Sequence, residues 1–244
     1  MITETKKNSG LKPMPLWESL LLFGVPTVLL FAATHVMIPF LHKWSGLPQV
    51  VCWFICGGVI VFIPLFIFSF IFFKKEGNQF SSHRLKERFR LKPLTMTDIV
   101  WISGGIAVIS ILTWVIMLLG GKFIPGFSPS PSFLQIGPVT KETVWILAAW
   151  IPLFFFNIFG EELFWRGYIF PRQEAEHGKQ TWWIHGTFWM IFHLSFGLNL
   201  LLTLIPIIYI QSFVVQKTKN TYSGILIHGI INGFGFLAVA AGLK

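Results

Sequence analysis

Apolar residues run along this chain in long blocks separated by short polar stretches. Blocks near the roughly 20-residue length that spans a bilayer fall at 17–41, 49–73, 99–120 and 143–160, and shorter or interrupted ones at 181–197, 198–214 and 222–241. The pattern predicts an all-α, polytopic transmembrane helical bundle of about seven spans, or eight if a further helix or re-entrant segment is present. The break at Phe196-Gly197-Leu198-Asn199 divides the fifth run from the sixth.

Composition supports this reading. With 54% of residues hydrophobic and 12% charged, the 244-residue chain has too few polar side chains to cover a water-soluble globule. Its 27 Phe and 11 Trp suit helix packing and anchoring at the headgroup level. The net charge of +9 does not imply nucleic acid, because Lys and Arg fall between apolar runs and read as topology signals and contacts to anionic lipid. Cys52 and Cys56 both lie in an apolar run and suggest packed small residues. Met1 to Pro15 is polar, without a signal-peptide cleavage pattern, so the first run reads as a retained span.

Cytoplasmic loops carry an excess of Lys and Arg. Placing the N-terminus inside puts fifteen of the nineteen basic residues on that side, in the segments 6–12, 74–92, 166–179 and 217–219. Lys43, Lys122, Lys141 and Lys244 remain outside. The expectation is a multi-pass protein of the plasma (cytoplasmic) membrane with a cytoplasmic N-terminus. The basic loop 74–98 contains Arg84-Leu85-Lys86-Glu87-Arg88-Phe89-Arg90-Leu91, which reads as a short helix on the inner leaflet or as a solvated loop. The stretch Lys122 to Thr140, with four prolines, reads as an outer loop.

An ionisable group at the centre of a span costs about 2.5–3.5 kcal/mol, so each is a functional candidate. Glu161, Glu162 and Arg166 follow the fourth run, His193 sits in the fifth, and His228 with Asn232 sits in the last. The first helix breaker after the glutamates is Pro171, so one helix should carry all three charges. Glu162 and Arg166, four apart, share a face and should pair. Glu161 is turned away by about 100° and keeps no intrahelical cation, which suits general acid–base work. At 1.5 Å per residue, Glu161 lies about 15 Å from Pro171, His193 about 18 Å from Thr181, and His228 and Asn232 about 9 and 15 Å from Tyr222. Three helices thus bring carboxylate, imidazoles and carboxamide into one slab. Such a set can activate a water with Glu161 and His193 and hold an oxyanion with His228 and Asn232. The helix ends nearest these groups fall on the basic side of the charge count, which predicts a cavity opening to the cytoplasm.

These residues resemble the signature of the CPBP (CAAX protease and bacteriocin-processing, or Abi) family of intramembrane endopeptidases, which includes the type II CAAX prenyl endopeptidase. The family pattern is E-E-x-x-x-R, F-x-x-x-H and H-x-x-x-N on successive helices. It is matched by Glu161-Glu162 with Arg166, by Trp189 with His193, and by His228 with Asn232, with Trp189 standing where the family usually has Phe. The resemblance implies a catalytic membrane domain over 143–244, preceded by an N-terminal transmembrane region, 1–142. It implies Glu161 as the base, His193 as its assistant, His228 and Asn232 as oxyanion stabilisers, and Glu162, Arg166 and Trp189 as supporting residues. Substrates would be membrane-embedded peptides or lipidated proteins, of prenylated CAAX or bacteriocin type. The family is often called metalloprotease. No cofactor is favoured here, because no HExxH pair is present, and a zinc would take Glu161, His193 and His228. The alternatives are a non-catalytic bacteriocin-immunity or scaffold protein and a proton-coupled transporter. A transporter should show internal repeats, and none is seen.

Overall fold

The computed structural model describes residues 11–243, so Lys6, Lys7, Lys244 and most of the N-terminal polar segment lie outside the described residues. Within 11–243 the structure is helical with no strand. In lipid, backbone N–H and C=O groups find no water, and a helix satisfies them internally. The helices are α1 (Leu16–Ser45), α2 (Gln49–Lys75), α3 (Ser82–Arg88), α4 (Met96–Phe123), α5 (145–177), α6 (Thr181–Phe192), α7 (Leu198–Thr218) and α8 (Thr221–Ala240). Six stretches are long and apolar enough to cross a bilayer; one of them, Trp145–Phe196, doubles back on itself and holds both the fourth and fifth runs.

That reversal occurs at Gly178, whose φ of 57° and ψ of −124° suit a residue without Cβ. Beyond it α6 returns along α5, so that His185 meets Gln173 and Trp189 meets Glu161. Gly197, at φ 84°, makes the next reversal, and α7 returns along α6 with Gln216 at Trp182 and Tyr209 at Gly186. The expected break at 196–199 is therefore a turn between two helices. Helix α8 runs antiparallel to α5, with Phe236 on Trp150 and His228 at Glu162. Helix α2 runs parallel to α5, with Phe66 beside Phe156 and Phe72 beside Tyr168. Gly160 permits that approach, because a Cβ there would lie 2.5 Å from the Phe62 carbonyl oxygen. Helix α4 rests on the outside against α7 and is the least buried of the long helices.

The basic segments meet at one end of the bundle. Arg88 pairs with Glu76 at 2.5 Å, Arg90 with Glu174 at 2.7 Å, Arg172 with Glu18 at 2.6 Å, and Lys219 also reaches Glu174. Asn220 caps α8 and binds the Lys92 carbonyl. A helix does form in this segment, over Ser82–Arg88 and capped by Ser81, but it packs on the bundle end instead of lying on lipid: Arg88 and the following Phe89 are buried, Phe89 against Phe70 and Phe73. At the opposite end the loop between α4 and α5 packs inward, with Phe133 against Trp53 and Phe196 and the Val139 N–H on the Ala240 carbonyl.

Helix α5 also departs from the expected stop at Pro171, continuing to His177. Wide turns with i→i+5 bonding occupy Leu163–Ile169, directly after the glutamates. The Arg88 guanidinium donates to the carbonyls of Gly167 and Tyr168 at 3.0 and 3.3 Å, satisfying oxygens near the missing Pro171 N–H. The break is absorbed, and α5 leaves the apolar layer only in the polar turn after Pro171.

Candidate active site

Glu161 and Glu162, though adjacent, point to different surroundings, and both are buried. The Asn157 amide donates to Glu161 Oε1 at 2.7 Å. Two indoles donate to Oε2: Trp189 Nε1 from α6 at 2.8 Å and Trp165 Nε1 from the wide turn at 3.2 Å. Among the described residues, no Lys or Arg contacts this carboxylate directly. Three neutral donors on two helices thus orient this carboxylate, with Oε1 the less encumbered oxygen.

Glu162 Oε1 accepts from Arg166 Nη1 at 3.0 Å, from Gln211 Nε2 at 2.9 Å and from His228 Nδ1 at 2.9 Å. The pairing with Arg166 expected from four-residue spacing is present and fully buried. Arg166 also lies over the Trp189 ring, its Cζ 3.5 Å from the centroid, a cation–π contact. Gly224 makes room for Glu162, since a Cβ there would run into the carboxylate. Glu162 therefore balances an arginine and also orients an imidazole from α8.

Hydrogen-bond logic assigns the histidine nitrogens. His193 Nδ1 lies 2.8 Å from the Trp189 carbonyl oxygen, which only accepts, so Nδ1 carries the proton and neutral His193 keeps a lone pair at Nε2. His228 Nδ1 likewise donates to Glu162, and its Nε2 lies 2.9 Å from Asn232 Nδ2. His228 Nε2 accepts there, since the amide nitrogen of Asn232 only donates. Asn232 Nδ2 also approaches Asn157 Oδ1 at 3.4 Å.

Asn157, Glu161, His193, His228 and Asn232 line one cavity of about 290 Å³. The three helices thus converge as the sequence depth argument requires. Glu162, Arg166 and Trp189 stand behind the lining and hold it in place. The direction of the cavity differs from the expectation. Its α5 lining runs from Glu161 back to Trp150, its α8 lining from His228 forward to Val239, and the loop residues Ser130, Leu134 and Ile136 complete it. It extends to the end opposite the basic segments, because residues 160–173 beyond Glu161 are all buried and close the basic side.

Asn157, Trp165 and Gln211 were not singled out in the sequence. The polar residues carried a usable signal, being carboxamides inside apolar runs at 143–160 and 198–214. For Trp165 only the four-residue spacing from Glu161 pointed to a role.

A zinc held by Glu161, His193 and His228 fits this arrangement poorly. No group of three His, Cys, Asp or Glu among the described residues is placed to hold a metal ion. His228 has Nδ1 on Glu162 and Nε2 against the Asn232 amide, leaving neither nitrogen directed at a shared centre.

No curated protein and no solved structure matches the chain. Residues 143–234 match the family model described as type II CAAX prenyl endopeptidase Rce1-like, over the stretch that supplies the buried glutamates, the two histidines and Asn232. Over that stretch, and in the geometry of its motif residues, the chain is similar to the CPBP/CAAX protease family, and the match supports that assignment.

Proposed function

We propose that this membrane endopeptidase hydrolyses a peptide bond with a water activated by Glu161, without a metal. The observation that carries the reading is a cation-free carboxylate at the floor of a cavity that also presents His193, His228 and Asn232. A water between Glu161 Oε1 and His193 Nε2 finds two acceptors, one for each proton. Glu161 takes a proton as the water oxygen bonds to the scissile carbonyl carbon, and the carbonyl electron pair moves onto oxygen. The Asn232 amide, oriented by one N–H on His228 Nε2 while Glu162 holds His228 Nδ1, donates its other N–H to that oxyanion. Collapse of the adduct breaks the C–N bond, and the proton held by Glu161 passes to the leaving amine.

In this reading 143–244 is the catalytic part, and 1–142 supplies α1, α2 and α4, of which α2 lines the cavity together with the loop after α4. The substrate is a membrane-associated protein or peptide, whether of CAAX or bacteriocin type. The N-terminus is cytoplasmic in the plasma membrane, with the basic end against anionic lipid. The test is a comparison of protein termini in membranes carrying the wild-type chain or Glu161→Ala. New termini that require Glu161 are expected. Identical termini with an unchanged phenotype would favour a scaffold or immunity protein that binds without cutting.

A further inference from the structure

We infer that substrate enters from the extracytoplasmic face and is an uncharged, apolar peptide segment. This rests on the proposed endopeptidase reading and fixes the side and the chemistry that it leaves open.

Two independent observations lead to the side. The cavity is lined only by the part of each helix that lies between the polar floor and the end carrying the α4–α5 loop: Trp150 to Glu161 on α5, His228 to Val239 on α8, and Leu200 and Leu204 at the start of α7. On the other side of the floor, Glu162, Leu163, Trp165, Arg166 and Ile169 are buried in packed helix, and Phe89, just after α3, closes the space beside Gly167. The second observation is the charge distribution. The basic residues of 74–92, 172–179 and 217–219 gather at the sealed end. Their pairing with Glu18, Glu76 and Glu174 does not weaken the orientation rule, which counts Lys and Arg and not net charge. The sealed end is then cytoplasmic and the open end faces outward. A lipidated protein terminus presented from the cytoplasm meets the closed side.

The lining gives the substrate class. Among the described residues that line it, Glu161 is the only carboxylate and no Lys or Arg is present, and the walls toward the mouth include Trp53, Phe54, Trp150, Phe154, Phe196 and Phe236. A substrate charge beside these rings would lose its hydration with no partner to replace it. Apolar side chains have no charge to strip of water and gain contact with the aromatic faces. Between Phe133, seated on Trp53 and Phe196, and Val139, bonded to Ala240, the loop lines the mouth, so a segment entering from outside passes it first.

The experiment has two arms in intact bacterial spheroplasts, both in a Cys52→Ser, Cys56→Ser background. In the first, Ser128→Cys in the loop is compared with Lys86→Cys and Lys179→Cys at the basic end, using a membrane-impermeant maleimide. Labelling of the first without permeabilisation, and of the other two only after it, is expected; the reverse pattern overturns the inference. In the second, a single-span reporter carries a Leu/Ala segment next to the membrane on either the outer or the inner side. Cleavage of the outer version alone is expected, and cleavage of the inner version overturns the proposal. If neither reporter is cut while Glu161→Ala still removes natural termini, the peptide class is wrong but the endopeptidase reading survives. If Glu161→Ala changes no termini, that reading fails, whereas the labelling arm still decides the side.

Discussion

The cavity face of α5 and its packed face differ in how each stabilises a carboxylate away from water. On the cavity face, Asn157, Trp165 and Trp189 give Glu161 neutral N–H donors. On the packed face, Arg166, Gln211 and His228 converge on one oxygen of Glu162. A carboxylate joined to an arginine is a poor base, because accepting a proton would strand the cation in a low-dielectric place. One oriented by amide and indole dipoles can accept a proton without leaving a bare charge behind. The glutamates thus divide the labour of one turn, the first meeting the cavity and the second holding Arg166 and His228.

The sharpest way to break this comparison is to neutralise each glutamate in turn. Glu161→Gln keeps shape and removes the base, so cleavage is expected to fall by about 10²–10⁴-fold at normal membrane abundance. Protein level and rate measured in the same membranes check both halves, and near-wild-type cleavage would end the glutamate mechanism. Glu162→Gln leaves Arg166 buried without its counter-charge, a situation that destabilises by about 3–5 kcal/mol. Lower abundance and a lower unfolding temperature are the expected outcome. Glu162 also orients His228, so the surviving protein should cleave slowly as well. Equal abundance of the two glutamine variants would erase the distinction.

Asn232 belongs to the cavity side through its contact with His228 Nε2. Asn232→Ala should lower turnover by about 10²–10³-fold, the scale of one oxyanion donor, while substrate still binds. Loss of binding with unchanged turnover of the bound fraction would reassign Asn232 to recognition.

The apolar runs of the sequence correspond closely to helices, because a block of apolar residues in lipid leaves the backbone little choice but helix. The polar set was legible too: Glu161, His193, His228 and Asn232 are few, and each is costly in a span, so their recurrence at matched depth carried information. Less legible was anything set by contact between distant segments. Pro171 reads as a stop, yet the Arg88 guanidinium, 79 residues away from Gly167 in the chain, satisfies the carbonyls beside the break. The cavity direction depends on which side of the polar slab is packed shut, and Phe89 on Gly167 decides that in three dimensions. The nearness of the helix ends to the basic loops suggested a cytoplasmic opening, but those same loops pack down and close it.

Trp189 gives the finest test of the comparison, since it touches both faces: its ring lies under Arg166 and its N–H reaches Glu161. The family pattern usually has Phe at this position, so Trp189→Phe restores the common aromatic while deleting one donor. The phenyl ring keeps a face for Arg166, and Trp165 still donates to Glu161 Oε2. The net loss is that of a single hydrogen bond, about 0.5–1.5 kcal/mol, or roughly two- to tenfold in rate. Because Trp189 does not line the cavity, the loss should fall on kcat and leave KM unchanged. Trp165→Phe should resemble it, and the double variant should exceed the product of the two, since Oε2 then has no N–H donor left. A Trp189→Phe enzyme with raised KM and unaltered kcat would show that the indole shapes the pocket and does not orient the carboxylate.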